Sequence, residues 1–321
     1  GSATPGPQLL FGSIKIDKEA SHMKQPKRVI VGHDLGVGGK AAMRSAAVVA
    51  ERCGAALRIV HVVEPLDAFQ RLSHPLTSPY TLEDIVQKVG ARLQALAKSP
   101  EFHHLHSDHE VRTGKPFVEL IIAARASRAD LIVVGGTSGS EELLGSTSER
   151  IVRKTPIPVM VAKKPLSREA KTFLIPTDFS SCSIQAAEEA LVLGKCFDAR
   201  LVFFHVLDSR RSLATRYAHE VGVTVQMPLP SPEEMEPEWE AFLSGLQLEN
   251  VDWEKHTGEG QAANAIVGEA THRQADIIVM GTHGRSGLSH TLLGSVTEKV
   301  VRTAQCAVLT VRPDAFEFEM P

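Results

Sequence analysis

The sequence has no excess of positive charge: 35 Lys and Arg stand against 38 Asp and Glu, for a net charge of -3 over 321 residues. A nucleic-acid backbone or an anionic membrane is therefore not an expected partner, because either would be held by a positive field. Long apolar runs are missing as well. Stretches such as Leu131 to Val134 fall far short of the roughly 20 residues that span a bilayer, so no transmembrane helix is expected. The four cysteines, Cys53, Cys182, Cys196 and Cys306, lie far apart, without C-x-x-C or a histidine at zinc-finger spacing. That pattern argues against a disulfide framework and structural zinc, and the expected location is the reducing cytoplasm. Aromatic residues are only 5%, yet 43% of the chain is hydrophobic and 23% charged, a globular composition of a length that suggests two domains.

What is present is one unit written twice. Lys27 to Glu64 (KRVIVGHDLG…LRIVHVVE) runs without a gap against Lys171 to Asp208 (KTFLIPTDFS…LVFFHVLD), at an offset of 144 residues. Thr113-Gly114 matches Thr257-Gly258, ADLIVVG ending at Gly135 matches ADIIVMG ending at Gly281, and Gly145-Ser146 matches Gly294-Ser295. The period is much longer than the ~20 to 50 residues of a solenoid repeat, so each copy can close its own core. The expected division is a leader over 1–23, whose Gly1-Ser2 and Ser21-His22-Met23 resemble fusion junctions, then domains over 24–164 and 171–313. Lys163 to Lys171, charged and carrying Pro165, reads as the linker.

Each copy alternates strand and helix. Val29 to Val31, Leu57 to Val63, Phe173 to Ile175 and Leu201 to Leu207 are near-continuous apolar runs, as strands covered on both faces require. Ala-rich segments of helical length follow the first strand of each copy, with Ser180 and Ser181 available as N-caps in the second. Amphipathic spacing marks a further helix in each, through Leu82, Ile85, Val89 and Leu93 and through Met235, Trp239, Phe242 and Leu246. The pattern predicts an α/β fold of two tandem, doubly wound parallel-sheet domains.

In such sheets ligands collect beyond the carboxyl ends of the strands. There the second copy carries Pro176-Thr177-Asp178, His205-Val206 and the loop GTHGRSGLSHTLLGSVTEK, in which Gly281, Gly284 and Gly294 recur with two and nine residues between them. Glycines let backbone N–H groups approach a phosphate, and a helix opening at Gly294-Ser295-Val296 would add donors and the positive end of its dipole. His283, Arg285 and His290 add donor or positive character, and Asp178 is placed to accept from a ribose hydroxyl or help hold a cation.

With these residues in order and in a duplicated frame, the sequence resembles the universal stress protein family over Lys24 to Pro313. Nucleotide-binding members carry G-x2-G-x9-G-[ST] after the fourth strand, an Asp ending the first and a His-Val pair ending the second. The resemblance implies an adenine-nucleotide-hydrolase-like fold with strand order 3-2-1-4-5 and a bound ATP, ADP or AMP, with Mg2+ as an accompanying ion. Pro176, Thr177, Asp178 and Val206 would then face adenine and ribose, Met280 and Gly281 the base and sugar, and His283, Gly284, Gly294, Ser295 and Val296 the phosphates. It also implies that the apolar fifth strands, Val159 to Ala162 and Ala307 to Val311, pair into an internal pseudo-dimer. Protein partners and a further homodimer complete the expected partners.

The first copy departs from this pattern. Its loop, GGTSGSEELLGS, reaches Gly145 in ten positions from Gly135 where the second copy takes 13 from Gly281 to Gly294, and Glu141-Glu142 brings negative charge to the loop. Asp34 and Val62 survive while Gly32-His33 replaces Pro176-Thr177, so the first copy reads as degenerate and the second as the binding half. His61 and His205 recur at equivalent strand ends and read as satisfied structural residues. His103, His104, His106 and His109 are irregularly spaced, with no match in the other copy, and make a poor metal set. Enzyme signatures are scarce: G-x4-G-K-[ST], G-x-S-x-G and H-E-x-x-H do not occur, so catalysis beyond slow ATP hydrolysis is not expected. An adenylating or ATP-hydrolysing enzyme and a nucleotide-free scaffold stand as the rival readings.

Overall fold

Among the described residues, ten strands join in a single sheet, in the order β3-β2-β1-β4-β5-β10-β9-β6-β7-β8. The computed structural model describes residues 25–65, 81–136, 145–207, 230–231, 233–284 and 293–313. In the first half β1 is Arg28–Gly32, β2 Ala56–Val63, β3 Ser107–Thr113, β4 Leu131–Gly135 and β5 Val159–Ala162. The second half repeats them as β6 Thr172–Thr177, β7 Arg200–Leu207, β8 Trp253–Glu259, β9 Ile277–Gly281 and β10 Ala307–Val311. Pairing is parallel within each half, and the 3-2-1-4-5 order holds twice.

Helices cover both faces, which is why the central strands are apolar throughout. On one face lie α1 (Val37–Cys53), α2 (Leu82–Ala97), α5 (Ser181–Phe197) and α6 (Glu236–Ser244); on the other lie α3 (Pro116–Ala126), α4 (Ser146–Lys154), α7 (Ala262–His272) and α8 (Ser295–Thr303). Ser180 is the N-cap of α5, its hydroxyl accepting from the Ser183 N–H, and Thr81 caps α2 reciprocally with Asp84. Each of the two buried layers takes side chains from both halves, so the core runs unbroken past the point where the copies meet.

That meeting point is an antiparallel pairing of the fifth strands, with Val161 opposite Val308, Met160 opposite Leu309 and Val159 opposite Thr310. Two otherwise open sheet edges are closed against each other inside one chain. A reciprocal set of contacts follows the pseudo-two-fold axis. Arg312, buried after β10, donates to the carbonyls of Val152 and Arg153 at the end of α4. Lys163, its counterpart after β5, donates to the Arg302 carbonyl at the end of α8. Each cation thus satisfies carbonyls that a helix C-terminus leaves open, in the other half of the molecule. Burial lowers both groups, Lys163 below the usual lysine range and Arg312 to about 10. Arg153, Glu149, Arg302 and Glu298 close a four-membered ion network over the same axis. The connector 163–171 is tied down: Leu166 and Ala170 are buried, and the Leu166 N–H donates to Ser45 Oγ at 2.9 Å.

Candidate functional site

The strand ends of the second half gather the residues singled out by sequence. β6 pairs with β9 only at Phe173 and Leu174, so the two strands part beyond that point and open the crevice at the switch in strand order. Pro176, which has no N–H to give a ladder, stands where that pairing has ended. Thr177 is buried; its hydroxyl accepts from the Phe179 N–H and lies 3.0 Å from Ser183 Oγ. Asp178 Oδ1 accepts from the Ser180 N–H and, at 2.6 Å, from the Ser180 hydroxyl, which itself caps α5. The carboxylate therefore steadies the helix entry through a relay, compatible with facing the crevice.

The glycines of the loop are held for different reasons. A Cβ on Gly281 would come within 2.6 Å of Cys182 Sγ, so this glycine lets the end of β9 pack against the first turn of α5. A Cβ on Gly284 would lie 2.5 Å from Asp178 Oδ2, which brings the loop directly over the carboxylate. Gly294 donates to the Thr282 carbonyl at 2.8 Å and is the N-cap of α8, whose Thr297 hydroxyl donates to the Gly281 carbonyl at 2.8 Å. These bonds aim the start of α8 at the crevice. The N–H groups of Ser295, Val296 and Thr297 have no acceptor within the helix by its geometry, and Ser295 is exposed. His283 Nδ1 lies 2.9 Å from Thr282 Oγ1. Met280 is buried in the apolar layer with Leu293, while Val206 is half-buried beside Gly258. Arg285 and His290 lie outside the described residues.

His205 is a structural residue, as expected. Its Nδ1 lies 2.8 Å from the Thr177 carbonyl, and since a carbonyl only accepts, that nitrogen carries the proton. His61 makes the same bond to the His33 carbonyl at 2.6 Å. Sequence reasoning missed the aromatic group beside it. Phe179, with φ at +60°, stacks on His205 at 4.4 Å between ring centroids and meets Trp239 and Phe242 edge-on. The available signal was Phe179 directly after Asp178, where the first half has Leu35, also left-handed at φ +62°.

The first half keeps the same frame. Ser148 donates to the Gly135 carbonyl at 2.6 Å as Thr297 does to Gly281, and Gly145 caps α4 with φ and ψ of -59° and 140°, against -59° and 137° at Gly294. Asp34 Oδ1 accepts directly from the N–H groups of Gly36 and Gly39, both at 2.8 Å. A cleft of about 540 Å³ opens here, lined among others by Asp34, Gly38, Val62, Gly135, Gly145 and Ser146. The acidic pair Glu141-Glu142 lies outside the described residues. Burial holds His33, at the wall of this cleft, below the usual histidine range despite the opposing pull of Asp34. Among the described residues no group of three His, Cys, Asp or Glu side chains is arranged to hold a metal ion, and no helix is long and apolar enough to cross a membrane.

Comparison with known proteins agrees with the geometry. A family model described as "Universal stress protein family" matches residues 26–163 and again 169–312. A universal stress protein of Mycolicibacterium smegmatis is 29% identical over 308 residues, covering 89% of this chain and 97% of its own. Universal stress protein MJ0531 of Methanocaldococcus jannaschii is 36% identical over 152 residues, covering 44% of this chain and 82% of its own. The crystal structure of a universal stress protein from Archaeoglobus fulgidus superposes with a TM-score of 0.66 at 18% identity, covering 89% of this chain and 98% of that one, a likeness of fold.

Proposed function

Because the chain belongs to the universal stress protein family, with two copies of its domain, we propose that it is an adenine-nucleotide-binding regulatory module whose principal site is in the second half. The observation that carries this reading is the start of α8. Gly294 is fixed by its bond to Thr282, the first N–H groups of the helix have no acceptor within it and receive no side-chain cap from Gly294, and Gly284 lies over Asp178 at the same strand ends. In this reading ATP, ADP or AMP lays its base and ribose along Pro176, Thr177, Asp178, Val206 and the main chain of Met280 and Gly281. Its phosphates meet His283, Gly284, Gly294, Ser295 and Val296. Mg2+ would come with the phosphates, near Asp178. Occupancy then biases contacts with protein partners or a second copy of the chain in the cytoplasm, and stress response is the setting.

The test is the ligand released on denaturing the purified protein, read by mass spectrometry, together with Gly294→Val. A Cβ at Gly294 already lies 3.0 Å from the Thr282 carbonyl, and a branched side chain there crowds the phosphate approach. ATP affinity should fall at least about tenfold, or ~1.4 kcal/mol. Unchanged affinity would remove this loop from the site.

One observation favours a second reading, in which the first half also takes a ligand. The 540 Å³ cleft at Asp34 has the helix N-terminus, the Asp and the valine of the second half's site. A titration that saturates at two nucleotides per chain would establish it.

A further inference from the structure

Away from the crevices, α1 and α5 meet near their C-terminal ends, where the two halves touch on the other face of the sheet. Arg52 Nη2 donates to the Phe197 carbonyl at 2.5 Å, and its guanidinium lies 5.4 Å from the centroid of the Phe197 ring. The 144-residue offset carries position 52 onto 196, and in the opposite direction carries 197 onto 53. The symmetric mate of the Arg52–Phe197 contact is therefore Cys196 against Cys53. The side chains agree: Cys53 lies in the buried layer against which Cys196 packs, the two thiols interact, and Cys196 Sγ donates to the Val192 carbonyl of its own helix at 3.7 Å.

The two thiols are not equivalent. Cys53 is 4% exposed, while Cys196 is only half-buried and so reachable from solvent. The interaction with Cys53, helped by the nearby Arg52 charge, holds Cys196 below the usual thiol range against the opposing pull of burial, whereas Cys196 and burial together push Cys53 up. Cys182 and Cys306 are both buried, are pushed up by burial, and have no thiol beside them. A solvent-reachable thiol of lowered pKa facing a second cysteine is the arrangement from which disulfides form.

We propose that Cys196 and Cys53 are a peroxide-oxidisable pair that closes a disulfide between the two halves. The oxidant is a hydroperoxide. The Cys196 thiolate attacks one peroxide oxygen, the O–O bond breaks as the S–O bond forms, and the leaving hydroxide takes a proton to become water. Cys53 then attacks the sulfenic sulfur; the S–S bond forms, the S–O bond breaks, and the second water leaves with the Cys53 proton. Two thiols are oxidised to one disulfide, and one peroxide is reduced to two waters. The product staples α1 to α5 and locks the halves together.

The experiment uses the full chain and hydrogen peroxide. After treatment and denaturation, remaining thiols are alkylated and the protein is read by intact mass and peptide mapping. The expected result is loss of two hydrogens, a joined Cys53–Cys196 peptide, and alkylation of Cys182 and Cys306 alone. Cys53→Ser should stop at a sulfenic acid on Cys196 that dimedone traps. Should that variant fail to fold, the wild-type rates decide: Cys196 should be oxidised at least about tenfold faster than Cys306. Four alkylatable thiols after peroxide, a disulfide between any other pair, or Cys196 reacting no faster than Cys306 would overturn the proposal.

Discussion

The two halves solve the same backbone problem with different side chains. After the first strand of each, the chain turns through a left-handed residue, Leu35 or Phe179, whose N–H must find an acceptor. In the first half that acceptor is His33 Nδ1 at 3.0 Å; in the second it is the Thr177 hydroxyl at the same distance. Asp34 caps its helix directly, while Asp178 acts through Ser180. Gly135 packs against the Gly38 backbone, and Gly281 against Cys182, whose sulfur is nearest and whose carbonyl follows at 3.0 Å. Duplication has preserved the bonds the backbone requires and left the atoms that make them free to diverge. The halves therefore share a frame and differ in titration, in tolerance and in the chemistry offered to a ligand.

The comparison breaks most completely at the seam. Val161→Lys with Leu309→Lys would bury two like charges at positions each 1% exposed, a cost on the order of 5 kcal/mol or more. The halves should then unfold in separate steps, with cleavage in the connector 163–171. A single unchanged transition by calorimetry would mean that the strand pairing is not what joins them.

Next comes Glu189, which stands where the first half has Ser45. Burial, reinforced by Asp130 and Cys196, pushes its carboxyl up to about 7. A raised folded pKa means that its contribution is fully present below the unfolded value near 4.5 and is lost as pH rises through about 7. Glu189→Gln should therefore stabilise the protein at pH 8 by on the order of 2 kcal/mol and change little at pH 4, as read from denaturant midpoints. A gain of equal size at both pH values would assign the effect to packing.

The two strand-end glycines should also separate. A Cβ on Gly135 would lie 2.4 Å from the Gly38 carbonyl oxygen, a backbone atom, whereas on Gly281 its nearest neighbour is a sulfur at 2.6 Å. Gly135→Ala should cost about 3 kcal/mol and Gly281→Ala nearer 1.5, the latter partly recovered by Cys182→Ala. Equal losses in thermal unfolding, with no recovery, would erase this difference. The smallest effect is at His33. Its folded pKa is lowered, so the stability it contributes is present above the unfolded value near 6.5 and is lost as pH falls through the folded one. His33→Thr, which copies the second half, should remove up to about 1 kcal/mol of acid sensitivity between pH 6.5 and 5, leaving pH 8 unchanged.

Much of this was legible in the sequence because it is local or repeated. The alternation of strand and helix, the helix opening at Ser295, the Ser180 cap and the structural role of His61 and His205 follow from periodicity, capping chemistry and a self-alignment, while the strand order came with the family resemblance. Gly281 shows the limit of that reading: as sequence it is a glycine of the ligand loop, yet its missing Cβ first makes room for Cys182. The seam lay further out of reach. Arg312 and Lys163 find their carbonyls 160 and 139 positions away, and only the pseudo-two-fold, once built, pairs them. The Phe179, His205 and Trp239 group was hidden for the same reason, its members brought together from three elements.

The central claim, that one half of a shared frame is the nucleotide site, meets its most direct test in calorimetric titration of ATP into the wild type, Gly294→Val and Gly145→Val. The account predicts saturation at one nucleotide per chain, abolished or weakened at least about tenfold by Gly294→Val and left intact by Gly145→Val. Two sites of comparable affinity, or a single site lost in Gly145→Val and kept in Gly294→Val, would contradict it.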